Sequence, residues 1–195
     1  IAQTLQMDSE KQRQVAEVAR LCKADLTTHL VNEFPELQGE LGRHYAEREG
    51  LDPVVAGGIS AHYHPHSLTA AMPDNVAGAV VGLADRLDSL VGISAAVKIP
   101  TGSADPFALR RACLTGAALI IHMHWDLDLK QTLQDCLRIY GQLPDVADQD
   151  QLLEDLLAFC RDRILGMLAD GACAALPGPF ADDALQAVAR SAAGW

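Results

Sequence analysis

The sequence predicts an all-α fold, and three of its features lead to that prediction. Apolar residues recur every three or four positions along most of the 195 residues, which is the periodicity of an amphipathic helix. Aromatic residues, which favour strands, make up only 5% of the chain, whereas alanine and leucine abound. No stretch alternates apolar and polar residues as a half-buried strand would. The length suits one domain with an appendage.

The first half of the chain divides into four predicted helices, at residues 8–32, 35–49, 53–63 and 75–97. Asp8 or Ser9 can cap the first helix, and Pro35 ends it because the residue before a proline is disfavoured in a helix. Gly50 closes the second helix. The third begins at Asp52-Pro53, a capping residue followed by proline at the first helical position.

Four more helices are predicted in the second half, at residues 105–124, 128–140, 151–169 and 181–192. The first of these repeats the cap-and-proline start at Asp105-Pro106 and is apolar on nearly all sides, so we expect it to be buried. An acidic linker at residues 145–150 precedes the last two helices. We therefore predict a helical domain at residues 1–145 and a helical extension at residues 146–195.

The helix at residues 75–97 has two unlike faces. One is small and acidic and lets a partner approach closely; it consists of Gly78, Val81, Gly82, Asp85, Ser89, Gly92 and Ala96. The opposite face is a core stripe of Val76, Val80, Leu83, Leu87 and Leu90. Asp85 and Asp88 are three residues apart and lie on the same side. They can bind a divalent cation, act as acid and base, or form ion pairs with arginines, and ion pairing with Arg43, Arg86, Arg110 or Arg111 is the favoured interpretation.

Charge and cysteine content exclude several protein classes. The net charge of −11 argues against a general nucleic-acid coat, so any nucleic-acid contact needs a local basic patch. The five cysteines are odd in number and widely spaced, which is typical of free thiols in a reducing cytosol.

The sequence shows no signal peptide and no apolar run of about 18 residues, so we expect a cytoplasmic protein that does not span a membrane. It begins Ile-Ala-Gln without an initiator methionine, and we expect it to be cut from a larger chain.

Two histidine groups and one turn suggest binding sites. The groups are His62, His64 and His66, and His122 and His124. Histidines two apart on a helix point about 200° apart and cannot chelate one metal, so solvated or packed rings are favoured over a metal site. The turn at residues 100–103, Pro-Thr-Gly-Ser, can hold a phosphate at a helix start but lacks the phosphate-loop pattern, so a plain turn with an N-cap is favoured.

Arg110 and Arg111 stand early in an otherwise apolar helix. Two adjacent guanidiniums there are costly unless they are paired or face phosphate. With Arg43, Arg48, Arg86 and Lys98 they would form a basic patch, provided that the fold brings these residues together.

Five sequence blocks resemble the β subunit of bacterial glycyl-tRNA synthetase, in that family's order and spacing. They are Lys23-Ala-Asp-Leu-Thr-Thr, Val31-Asn-Glu-Phe-Pro-Glu-Leu-Gln-Gly-Glu-Leu-Gly, His44-Tyr-Ala, Ala84-Asp-Arg-Leu-Asp-Ser-Leu-Val-Gly and Pro100-Thr-Gly-Ser-Ala-Asp-Pro-Phe-Ala-Leu-Arg-Arg-Ala. The resemblance is strong over residues 18–113 and weaker to about residue 190. It implies an HD-domain-like helical bundle, followed by a helical linker toward an absent anticodon-binding domain.

The resemblance also implies partner subunits, with aminoacylation and tRNA binding assigned to different subunits. The family is a tetramer in which the α subunit holds the aminoacylation site with its ATP and Mg, while the β subunit engages tRNA. This fragment would then hold no cofactor and no catalytic residue, and would contact the remainder of the β subunit and the α subunit. The candidate tRNA-binding residues are Arg43, Arg86, Lys98, Arg110 and Arg111.

The wider HD superfamily hydrolyses phosphoesters with a metal held by histidines and aspartates. By resemblance, its His-Asp pair falls on Glu33-Phe34, His62 lies near a further histidine position, and Asp85 matches the final aspartate. Phenylalanine cannot ligate a cation, so Glu33, His62, Asp85 and Asp88 are interpreted as a vestigial site without metal. Two alternatives stay open, a residual metal-dependent phosphohydrolase and a purely structural helical module.

Overall fold

The structure, a computed structural model, describes residues 1–97, 105–140 and 149–169. Those residues form eight α-helices and no strand, so the all-α prediction is confirmed. The helices are α1 (Ser9–Leu21), α2 (His29–Glu33), α3 (Glu40–Arg48), α4 (Pro53–Ala61), α5 (Val76–Ala96), α6 (Leu109–His122), α7 (Leu129–Ile139) and α8 (Gln149–Ala169). Short 3-10 turns at Ala24–Thr27 and Pro35–Leu37 flank α2. No helix in this part of the chain is long and apolar enough to cross a bilayer.

Capping residues begin and end several helices where the sequence places them. The carboxylate of Asp8 accepts from the backbone N–H of Lys11 at 2.9 Å, and that of Asp52 accepts from Val54 at 2.8 Å. Each bond satisfies a helix-end donor that would otherwise lack an intrahelical partner. Gly50 follows α3 with a φ of +74°, a conformation that favours glycine. The predicted caps of α1 and α4 and the predicted end of α3 are therefore confirmed.

The single helix predicted over residues 8–32 is wrong, because the chain breaks after α1. The hydroxyl of Thr28 accepts from the backbone N–H of Val31 at 3.3 Å and starts α2 as a separate helix. Asp25, only 2% exposed, fixes the break, since its carboxylate accepts from the backbone N–H of Gly39 at 2.6 Å. The predicted helix over residues 35–49 is also shorter than expected: Gly39 has a φ of +81°, and α3 begins directly after it.

The described residues group into two compact units, one of residues 1–66 and 70–84 and the other of residues 67–69 and the described residues from 85 onward. In the first unit α4 packs against α1 and α3, over core clusters of Val18, Cys22, Val55, Ala77 and Val81 and of Ala46, Ala56 and Ile59. In the second unit α8 packs against α6 and α7, with fully buried leucines at Leu109, Leu119, Leu133 and Leu156.

Three predictions fall on residues outside the described ranges. They are the turn at residues 100–103, the domain boundary at residues 145–146 and the helix at residues 181–192. All three stay predictions.

The small face of α5 permits close approach, as its glycines predict. A Cβ added to Gly78 would lie 2.9 Å from the carbonyl oxygen of Gly58 and 2.7 Å from the Cβ of Ala61, both in α4. Such separations leave no room for a side chain at this position. The opposite stripe is buried from Val80 onward, but its first predicted member, Val76, is exposed.

Candidate nucleic-acid interface

Residues 105–111 form a tight turn that leads into α6. The carboxylate of Asp105 accepts from the backbone N–H groups of Arg110 at 3.0 Å and Arg111 at 3.2 Å. Ala108 has a left-handed φ of +57°, and its N–H donates to the carbonyl oxygen of Asp105 at 3.1 Å. A left-handed residue cannot belong to the helix, so α6 begins after Ala108 and the predicted start at Asp105-Pro106 is wrong. Asp105 still caps the helix, although it lies four residues before Leu109, the first residue of α6.

The side chains of Arg110 and Arg111 are exposed on the first turn of α6. Neither forms an ion pair with a carboxylate among the described residues. Most other arginines in the described ranges lie against a carboxylate, namely Arg13, Arg20, Arg43, Arg138 and Arg161. The expectation that this helix is buried is confirmed for Leu109 and for Thr115 to Leu119 and wrong for Arg110 and Arg111. Both side chains are therefore exposed and lack a carboxylate partner in the part of the chain that the structure describes.

Arg86 has a structural role. Its Nε donates to the hydroxyl of Thr115 at 2.8 Å, and that hydroxyl donates to the carbonyl oxygen of Arg111 at 2.7 Å. Burial lowers the pKa of Arg86, while the negative charge of Asp85 beside it acts in the opposite direction. This chain of hydrogen bonds ties α5 to the first turns of α6 and supports the backbone beneath Arg111.

Arg43 and Lys98 are the other two predicted cationic residues. Arg43 belongs to the first compact unit, where its Nη2 lies 2.9 Å from the carboxylate of Glu40 and its Nε lies 3.9 Å from that of Glu47. Lys98 lies outside the described residues. The contribution of these two residues to one patch with Arg110 and Arg111 stays a prediction.

Asp88 is held by a tyrosine. The hydroxyl of Tyr140, the residue that follows α7, donates to Oδ1 of Asp88 at 2.7 Å. Burial, and then this hydrogen bond, raises the pKa of Tyr140 to about 12. The same hydroxyl lies against the position that a Cβ on Gly92 would occupy. Gly92 therefore makes room for the side chain of Tyr140, whereas Gly78 makes room for helix α4.

His62 and Glu33 occupy very different environments. His62 is fully buried after α4, its Nδ1 lies 2.6 Å from the carbonyl oxygen of Ile59, and its ring centroid lies 3.9 Å from that of Tyr63. A carbonyl can only accept, so Nδ1 carries the proton. Glu33 is exposed at the end of α2.

A sequence model for the glycyl-tRNA synthetase β subunit matches residues 1–176 of the chain. The chain belongs to the glycyl-tRNA synthetase β-subunit family. The glycine–tRNA ligase β subunit of Gloeothece citriformis is 44% identical over 172 residues, which are 87% of this chain and 23% of that protein. That of Desulforamulus reducens is 39% identical over 171 residues, 87% of this chain and 25% of that protein. The chain therefore spans about a quarter of the length of the curated relatives that it matches.

Of the positions of the predicted HD site, Phe34 carries no ligand atom. The Nδ1–H bond of His62 to a carbonyl and the bond of Tyr140 to Oδ1 of Asp88 are compatible with a ligand role as well as with a purely structural one, because histidines and carboxylates that bind a metal carry such bonds too. No group of three or more His, Cys, Asp and Glu side chains is arranged to hold a metal ion in the described ranges, and this includes His64, His66, His122 and His124. Glu33 and His62 lie in one compact unit and Asp85 and Asp88 in the other, so their assembly into one vestigial site stays a prediction.

Three residues of this β-subunit chain have roles that the sequence pattern does not predict. Periodicity puts Asp25 inside a helix, although the following Thr27-Thr28 signals a break and a new cap. Tyr140 ends a predicted helix, and nothing in the sequence indicates its bond to Asp88. Phe107 belongs to the helix predicted as buried, whereas it lies in the turn before α6 and is 50% exposed.

Proposed function

We propose that this chain is a non-catalytic part of a glycine–tRNA ligase β subunit and that it engages tRNA through Arg110 and Arg111. The observation that supports this is the pair of adjacent, exposed guanidiniums, which have no carboxylate partner among the described residues although the chain carries a net charge of −11. Binding to RNA phosphates requires such cations, and arginine binds a phosphate through two parallel hydrogen bonds.

The proposal places the aminoacylation reaction elsewhere. In it, the α subunit supplies the site for glycine, ATP and Mg, and the remainder of the β subunit supplies most of the tRNA contacts in the cytoplasm. Two findings support this division: the relatives are named as one subunit of the ligase, and the chain spans only about a quarter of their length.

The test is a double variant, Arg110→Gln with Arg111→Gln, in the complete β subunit assembled with its α subunit. We expect the KM for tRNA to rise while the KM values for ATP and glycine stay unchanged, because only phosphate contacts are removed. The slope of log Kd against log salt should become shallower by about 1.4 to 1.8, the value for two lost phosphate contacts.

A matched control removes the same charge from paired arginines, Arg13→Gln with Arg20→Gln, which lie against Glu10 and Glu17. This control should leave tRNA binding and its salt slope as in the parent enzyme. If the Arg110 and Arg111 variant behaves like the control, the arginine pair has no role in tRNA binding and the chain is better explained as a structural module.

The isolated chain should bind tRNA weakly. Two phosphate contacts on an acidic protein cannot supply the affinity of a complete interface. Sub-micromolar binding by the 195-residue chain at physiological salt would contradict this expectation.

A further inference from the structure

An exposed aromatic residue precedes the arginine pair in the sequence. Phe107 is 50% exposed in the turn that leads into α6. The carboxylate of Asp105 draws this turn together, because it accepts from the backbone of both Arg110 and Arg111. Phe107 is three residues from Arg110 and four from Arg111 within this turn.

A second exposed phenylalanine shows what is particular about this position. Phe34 is also 50% exposed, but its neighbours Glu33 and Glu36 are exposed carboxylates, which repel a phosphate. Phe107 is instead followed three and four residues later by the exposed Arg110 and Arg111. Of these two rings, only Phe107 therefore has positive charge nearby in the chain.

The start of α6 does not itself offer a phosphate site. The backbone N–H groups that would face an anion, those of Arg110 and Arg111, already donate to Asp105. An anion that approaches this turn must therefore be bound by the guanidinium groups, which extend beyond the backbone.

We propose that Phe107, Arg110 and Arg111 together bind one unpaired RNA nucleotide, with its base stacked on the ring of Phe107 and its phosphate held by the guanidiniums. This inference rests on the proposed tRNA contact of the arginine pair. It adds that the contacted element is single-stranded, because a base inside a duplex has both faces covered by its neighbours and cannot stack on a side chain.

The test compares Phe107→Ala, Phe107→Leu and Phe107→Trp in the complete β subunit assembled with its α subunit. Binding of a glycine-tRNA transcript and of a single-stranded uridine oligonucleotide is measured at several salt concentrations. We expect Phe107→Ala and Phe107→Leu to weaken binding of both by roughly 5- to 150-fold, the range for one lost base–aromatic contact, with no change in the salt slope. Phe107→Trp should retain binding, and an RNA duplex should bind all variants equally.

Phe34→Ala is the matched control, since it removes an equally exposed ring from acidic surroundings. Far-UV circular dichroism and thermal unfolding of each variant show whether it is folded. If Phe107→Leu binds as well as the parent, or if Phe34→Ala loses as much affinity as Phe107→Ala, stacking at Phe107 is refuted. The proposed function would survive that result if the arginine variant still lowers the salt slope, and it would fail as well if the arginine variant has no effect.

Trimming the unpaired 3′ end of the transcript identifies the source of the nucleotide. If the effect of Phe107→Ala disappears with the trimmed transcript, the stacked base belongs to the 3′ end. If the effect persists, the base belongs to a loop. Stacking is supported in both cases.

Discussion

Gly92 gives the sharpest test of the packing in the second compact unit. A Cβ at this position would collide with the hydroxyl of Tyr140 and would lie 3.1 Å from its Cζ and 3.4 Å from its Cε1. Gly92→Ala must therefore shift the hydroxyl end of the ring, which disturbs the hydrogen bond to Asp88. Gly166 in α8 is the natural comparison, because a Cβ there meets nothing within 4 Å.

The expected magnitudes follow from these two environments. Alanine in place of glycine inside a helix contributes about 1 kcal/mol of stability, so Gly166→Ala should stabilise the chain by about that amount. At Gly92 the same gain is opposed by an overpacking cost of about 1–3 kcal/mol, which includes the lost hydrogen bond. We expect Gly92→Ala to destabilise the chain by about 1 kcal/mol, and to stabilise it by about 1 kcal/mol when Tyr140→Ala is also present.

The assay is urea unfolding of the 195-residue chain followed by far-UV circular dichroism. The Gly92 and Tyr140 substitutions form a double-mutant cycle with an expected coupling of about 2 kcal/mol. If Gly92→Ala is stabilising by itself, or if its effect is the same with and without Tyr140, the described contact does not determine stability.

Three further outcomes are expected. The pKa of Tyr140 is about 12 in the folded chain and about 10 in the unfolded chain. Its contribution to the free energy of unfolding is therefore complete below pH 10 and is lost between pH 10 and 12. Tyr140→Phe should abolish that part of the pH dependence. Asp25→Ala leaves the buried N–H of Gly39 without its acceptor and should cost about 1–3 kcal/mol in urea unfolding, whereas Asp25→Asn keeps an acceptor and should cost less. Purified protein should contain far less than one metal per chain by elemental analysis, and a stoichiometric metal that is lost in Asp85→Ala would revive the phosphohydrolase alternative.

Local signals predicted the regular parts of this fold well. Asp52-Pro53 begins α4 and Gly50 ends α3 because caps and left-handed glycines act within a few residues of the chain. The break at Asp25 was missed because its acceptor role depends on Gly39, which is fourteen residues away in the sequence and contacts Asp25 only after folding. Periodicity cannot detect such a long-range bond, and it therefore joined α1 to α2.

The candidate site shows the same limit. The sequence predicts Arg110 and Arg111 as candidates, and the structure shows both side chains exposed. It also predicts a helix start at Asp105-Pro106, because periodicity counts residues and does not register the left-handed turn at Ala108. It also grouped Arg43 and Arg86 with them. Arg43 instead lies against Glu40 and Glu47, which the i,i+3 and i,i+4 spacing on the predicted helix already indicates. Arg86 donates to Thr115, which is 29 residues away and is found only in the folded structure.

The hydrogen bonds of Asp105 have an entropic consequence for binding at this turn. They fix the backbone of residues 105–111, so the proposed association with RNA would order only side chains, at about 0.5–1.5 kcal/mol for each. In Asp105→Ala the ring and both guanidiniums remain, but each backbone residue that is released adds an ordering cost of about 1–2 kcal/mol. The loss of affinity in that variant should therefore appear in calorimetry as a less favourable binding entropy.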